Sequence, residues 1–183
     1  MFTPIFEHWL GEELGRKPRV FLDLVGIPTG RDWVKGLARE LSRSRVLLTL
    51  ATRPYFEDSA HCLAEFEHSR WRAGQSGCGT VDCPDGLVAI ASLADGDDFP
   101  EPARRLQRVV LNDVSSPFIT RDSTRREALG NAVQALAKDV ARLVRDAPAP
   151  QPEWLADAEE RLERALLAPP RAPTSVLPSL GGA

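Results

Sequence analysis

The densest run of chemically capable side chains is Tyr55-x3-Ser59-x2-Cys62-x2-Glu65-Phe66, directly after the apolar stretch RVLLTL. His61 sits one turn before Glu65 and His68 one turn after it, so either imidazole could pair with the carboxylate. Taken alone, Glu65 reads as a solvated helix glutamate, and Ser59 reads as a helix N-cap before it reads as a ligand contact. Asp23 lies near the end of the run RVFLDL, where a carboxylate satisfies loop amides or positions a loop or a ribose. Trp33 could stack on a ligand ring, but at i, i+4 with Leu37 it reads first as core. Arg31 and Arg53 fall on neighbouring loops and could meet a pyrophosphate. The loop at 26–30 has two glycines and no Gly-x-Gly-x-x-Gly, which disfavours a dinucleotide-binding Rossmann domain. Cys78-x4-Cys83 with His61 and His68 suggests zinc only weakly, because the spacing fits no common ligand pair and a second Cys pair is absent. No metal site is expected, and no Ser/His/Asp or Cys/His context supports a hydrolytic nucleophile.

Positioning these groups requires a scaffold, and the hydrophobic pattern predicts one. Ile5, Phe6, Trp9, Leu10 and Leu14 form a helical stripe that Thr3 can cap and Gly15 can end. RVFLDL (19–24), RVLLTL (45–50), LVAIASL (87–93) and 108–111 read as buried strands. RVLLTL is apolar on both sides of the pleat, as parallel sheets require. Helices are expected from about Asp32, with Thr29 and Asp32 resembling a capping box, and from Ser59 or Asp58 to about Ala73. The inward face of the second is predicted at Cys62, Phe66 and Ser69, with Leu63 beside them. Leu129, Val133, Leu136, Val140 and Leu143 mark a long amphipathic helix. The expected organisation is a domain over 1–146, a stiff APAPQP linker at 147–152, a helix at 153–167 that packs on the domain or docks a partner, and a disordered Pro-rich tail at 168–183. Strands alternating with helices give a three-layer α/β fold with a parallel sheet. Ligands in such folds sit beyond the carboxyl ends of the strands, here the loops 25–32, 51–59, 94–104 and 112–124.

Composition excludes several classes. The 183 residues are 43% apolar and 27% charged, a globular balance with enough length for one core. A formal net charge of −3 gives no bulk attraction to nucleic acid or anionic lipid. No run approaches the ~20 apolar residues that cross a membrane. The start, MFTPIFEHWLGEELG, is acidic and shows no secretory signal. Three cysteines in a chain of this size read as reduced thiols, so a cytoplasmic protein is expected.

In order and spacing these fragments resemble the Toll/interleukin-1 receptor (TIR) domain family, whose third strand leads into Ser/Thr-x-x-Tyr-x3-Ser-Trp-Cys-x2-Glu-Leu. Here His61 replaces the usual Trp and Phe66 the usual Leu. Phe21-Leu22-Asp23, Ile27, Gly30, Trp33 and Leu37 match the second strand, the BB loop and the helix after it. Ser44-Arg45-Val46 fits the approach to the third strand. The resemblance spans roughly residues 2–146 and implies a flavodoxin-like sheet of bacterial type. By resemblance, Glu65 is the carboxylate essential for NAD cleavage in the catalytic branch. The implied activity is that of an NAD glycohydrolase in bacterial signalling or defence, with NAD as substrate rather than cofactor and nicotinamide plus ADP-ribose or a cyclic product released. Asp23, Arg31, Trp33, Tyr55 and Ser59 would line the substrate. The alternative is a non-catalytic interaction module, self-associating with other TIR domains through residues 26–31. A further flavodoxin-like reading as a phospho-acceptor lacks its acidic cluster, since Asp23 stands alone. One departure matters: the family's first strand has no counterpart before the first helix, and its loss leaves interior strands with unpaired edges. The preferred explanation is a native chain that begins upstream of Met1; a strand donated by another chain or a degenerate copy are the others.

Overall fold

The computed structural model describes residues 2–22, 30, 32–94, 96–114 and 124–169. Its elements run α1 (Phe2–Leu14), α2 (Trp33–Arg43), β1 (Leu47–Ala51), α3 (Arg53–Glu57), α4 (Ala60–Gln75), β2 (Val88–Ser92), α5 (Glu101–Arg104), β3 (Arg108–Val110), α6 (Thr124–Asp146) and α7 (Glu153–Leu167). The strands form a parallel sheet in the order β1-β2-β3. Leu47 pairs with Val88 and Ala51 with Ser92, while Ile90 pairs with Arg108 and Ser92 with Val110. The chain is therefore α/β with a parallel sheet, as the alternation of strands and helices predicts.

Helices cover both faces because β2 is apolar at every position and has no side to give to water. Ala89 and Ala91 face α1 and α6, meeting Phe6, Leu10, Leu129, Val133, Leu136 and Val140. Val88 and Ile90 face the other way, toward Phe56, Phe66 and Phe99. Beside that cluster, Leu37 and Leu41 of α2 meet Ala64 of α4 and Ala158 and Leu162 of α7. Gly15, at φ +64°, ends α1 in the left-handed conformation that glycine adopts without strain.

Several boundaries differ from expectation. α1 begins at Phe2, so Thr3 lies inside its first turn rather than capping it. α2 is capped by Asp32, whose carboxylate accepts the Lys35 N–H at 3.1 Å; Thr29 lies outside the described residues. The expected loops at 51–59 and 94–104 contain the short helices α3 and α5, each with Pro in its first turn. The predicted strand 19–24 is not formed over residues 19–22. Val20 packs on the α1–α6 core and Phe21 on the α2–α7 core, which is the alternation of a strand. A strand also needs a hydrogen-bonded neighbour, and among the described residues no strand pairs with the outer edge of β1 or with this segment. Residues 23 and 24 of that run lie outside the described residues, as do 115–123 and the tail from 170 onward.

α7 packs on the domain. Trp154, 0% exposed, lies under the Arg72 guanidinium at 4.2 Å from its ring centroid. Arg72 Nη1 donates to the Leu41 carbonyl at 2.6 Å and Nη2 to the Ser44 carbonyl at 2.5 Å. These are orphan acceptors at the C-terminus of α2, where the helix dipole favours a cation. Burial lowers the Arg72 pKa to about 10, so the group stays charged near neutrality. The buried face of α4 is thus shifted from the predicted one: Phe66 and Ser69 are buried as expected, Ala64, His68, Arg72 and Ala73 join them, and Cys62 and Leu63 are only half-buried. Truncating Trp154 to Ala is expected to cost about 3–5 kcal/mol in urea unfolding. Val81→Ser, at a position 98% exposed, is expected to change stability by less than about 0.5 kcal/mol.

Candidate functional site

The carboxyl end of β1 runs into two successive helix starts. Thr52 caps α3, its Oγ1 accepting the Tyr55 N–H at 3.3 Å. Ser59 caps α4, its Oγ accepting the Cys62 N–H at 3.2 Å. Phe56 fixes α3 by edge-on contact with Phe66 at 5.3 Å and tilted contact with Phe99 at 5.0 Å. The elements leaving β1 and β2 are therefore locked together by an aromatic trio. The Tyr55 ring meets Phe56 at 4.9 Å and is partly buried in the same cluster.

Glu65 is the sixth residue of α4, in the half nearest the strand ends, and is half-buried. One turn earlier, the His61 ring stands edge-on to Trp33 with centroids 4.8 Å apart and an interplanar angle of 85°. Trp33 is the first residue of α2 and packs against the α2–α4–α7 cluster, so it is a wall shared between the core and this corner. The His61 Nε2 is buried with no hydrogen-bond partner among the described residues. A buried polar nitrogen left in this state costs free energy that a hydrogen-bonding ligand would recover.

The structure thus brings Trp33 and His61 together, with Glu65 following on the same side of α4. Tyr55 and Ser59 stay at the α3–α4 junction, Ser59 about 9 Å along the helix axis from Glu65. Asp23 and Arg31 lie outside the described residues. Arg53 is held by Glu57 at 2.7 Å and by Asp98 at 3.6 Å. The hydrogen bond and charge of Glu57 keep its pKa above the ordinary arginine value. A pyrophosphate would have to displace those two carboxylates. Among the described residues no group of three or more His, Cys, Asp and Glu is arranged to hold a metal ion. No helix is long and apolar enough to cross a membrane among those residues. An open hollow of about 500 Å³ beside His8, Glu12, Arg16 and Lys17 lies along α1, on the opposite side of the sheet from α4.

Searches against protein-family models, curated proteins and solved structures found no match to this chain.

The histidine after Glu65 belongs to the scaffold. His68, 0% exposed, bonds the Asp157 carboxylate on α7 through Nδ1 at 2.7 Å, and Asp157 also accepts from Arg161 Nε at 2.7 Å. Residues 89 apart in sequence meet here, so no local spacing could announce the pair. Burial lowers the His68 pKa, with Arg72 and Arg161 acting in the same direction, and the Asp157 bond only partly offsets this. The imidazole is accordingly neutral, with its proton on Nδ1 to serve the carboxylate. Asp157, despite its own burial, is held below the usual carboxylate range by bonds from Arg161 and His68.

A depressed histidine pKa means that the unfolded chain takes up a proton before the folded one does. The stability tied to His68 is full above about pH 6.5 and falls as pH drops from there toward the folded pKa. Urea midpoints of the wild type are expected to decline between about pH 7 and 5, and His68→Gln is expected to flatten that decline while being less stable at pH 7. An unchanged slope in the variant would assign the acid sensitivity elsewhere.

Proposed function

We propose that the chain is a TIR-type NAD glycohydrolase that cleaves the bond between nicotinamide and ribose, with Glu65 as the carboxylate facing the sugar. The observation that carries this reading is the corner formed by Trp33, His61 and Glu65. There a buried imidazole nitrogen without a hydrogen bond among the described residues stands one turn from a half-buried carboxylate, beside an aromatic wall. Breaking an N-glycosidic bond develops oxocarbenium-like charge on the ribose. A fixed carboxylate stabilises that charge and can hold a ribose hydroxyl, and an imidazole nitrogen can hold another. The nicotinamide of NAD is already cationic and leaves neutral, so no strong general acid is needed. Water then adds to the anomeric carbon and releases its proton. Support also comes from the strand order β1-β2-β3, which is the order a flavodoxin-like domain gives its last three strands.

The test is nicotinamide release from NAD by concentrated protein, followed by chromatography. Glu65→Gln is expected to lower the rate by at least about 100-fold, the scale of losing one preorganised electrostatic contact, while unfolding in urea remains a single cooperative transition. Full activity in Glu65→Gln, or no release by the wild type across a concentration series, overturns the assignment.

A second reading, a self-associating module without catalysis, is favoured by the outer edge of β1. Among the described residues no strand pairs with it, and Leu50 there is 42% exposed. Edges of this kind template pairing between copies. Sedimentation velocity is then expected to show concentration-dependent assembly that Leu50→Lys suppresses and Glu65→Gln leaves intact. A monomer at every concentration excludes this reading.

A further inference from the structure

The segment between α4 and β2 is folded back on itself around two thiols. Thr80 donates its N–H to the Cys83 carbonyl at 2.9 Å, and Cys83 returns its N–H to Thr80 Oγ1 at 3.2 Å. Below this pair the Gly79 N–H reaches the Asp85 carbonyl at 3.0 Å. Val81, at the tip, is almost fully exposed. Asp85 is ion-paired with Arg142 of α6, which pins the base of the fold to the domain. Cys78 lies half-buried against Ala73, Leu87 and Ala147, with its thiol directed at the Ser76 carbonyl at 3.9 Å, and exposed Cys83 follows it in the same folded loop, close enough to help raise its pKa. Cys78 also stands between Gly77 and Gly79, at φ +71° and +76° with open space around both, so the backbone beside it can adjust at low cost.

We infer that Cys78 and Cys83 are a thiol–disulfide exchange site, closing reversibly to an intramolecular disulfide when a small-molecule disulfide such as glutathione disulfide is the oxidant. Neighbouring thiols, one accessible and one sheltered behind it, are the arrangement such exchange requires. The exposed Cys83 thiolate attacks one sulfur of the oxidant and expels the first glutathione thiolate. Cys78 then loses its proton and attacks the Cys83 sulfur of the mixed disulfide, expelling the second. Two electrons pass from the cysteine pair to the oxidant, one S–S bond breaks and one forms, and the two protons leave on two glutathione molecules. Burial and the adjoining Cys83 raise the Cys78 pKa, which makes it the resolving thiol rather than the attacking one. Cys62 is excluded as a partner because about 20 Å of helix separates it from this loop.

The full-length chain equilibrated in glutathione buffers of graded ratio, alkylated and digested with trypsin, gives the readout. Both cysteines fall in one tryptic peptide, Ala73–Arg104. The expected result is conversion of that peptide to a species lacking two hydrogens and carrying no alkyl group, with Cys62 alkylated throughout. Cys78→Ser is expected to trap glutathione on Cys83, raising the mixed disulfide at least about tenfold over wild type at the same ratio. Persistence of that mixed disulfide in the wild type, linkage of two chains through Cys83, or a bond to Cys62 would each overturn the inference.

Discussion

A buried guanidinium holds the α2–α4–α7 side of this protein together. Arg72 is 1% exposed, yet among the described residues no carboxylate pairs with it directly; its charge is met by two carbonyls at the end of α2 and by the face of Trp154. Leaving such a charge in the interior unpaired costs several kcal/mol, so the arrangement holds only if α2 ends and α7 lies where they do. The dipole of α2 supplies negative potential at its C-terminus, and the ring supplies more from its quadrupole. One side chain on α4 thereby fixes the relative positions of three helices, and with them the corner where Trp33 of α2 meets His61 of α4.

The same helix carries two kinds of work on one face. Its first half presents His61 and Glu65 next to the strand ends, and its second half presents His68 and Arg72 to α7. The imidazoles are chemically alike and two turns apart, but their fates differ because of what packs against them. His68 is tied to Asp157 through Nδ1, and its Nε2, like that of His61, is buried without a partner among the described residues. His61 finds an aromatic edge and keeps a ring nitrogen without a protein partner among the described residues. Several carboxylates are likewise committed to the scaffold. Glu57 and Asp98 hold Arg53, and Asp157 holds His68 and Arg161, each committed to a neighbour on another turn or another element.

The sheet explains where the protein is open. β2 is buried on both faces and paired on both edges, which is why it reads as the uninterrupted apolar run VAIAS. β1 has a central strand's composition without, among the described residues, a second neighbour. Its Leu50 is left substantially exposed at the end nearest the candidate site. Segment 19–22 shows the complementary condition. Val20 and Phe21 point into opposite cores as strand residues would, but among the described residues its backbone has no ladder to join.

What the sequence determined is whatever depends on neighbours a few residues apart. The alternation of apolar runs with amphipathic stripes was enough for an α/β fold and for α7 at 153–167, and Ser59 three residues before Cys62 was enough for a cap, because helix starts and apolar faces are local physics. The same locality made Cys78 and Cys83 visible as a pair but not the way the loop folds around them. The tertiary structure alone decided that His68 belongs to Asp157, that Arg72 lies over Trp154, that Trp33 stands against His61, and that residues 19–22 do not become a strand. Each of these depends on groups brought together across at least two elements. The free energy of burying a charge, an imidazole or a strand edge is set by those distant partners, and no spacing along the chain encodes them.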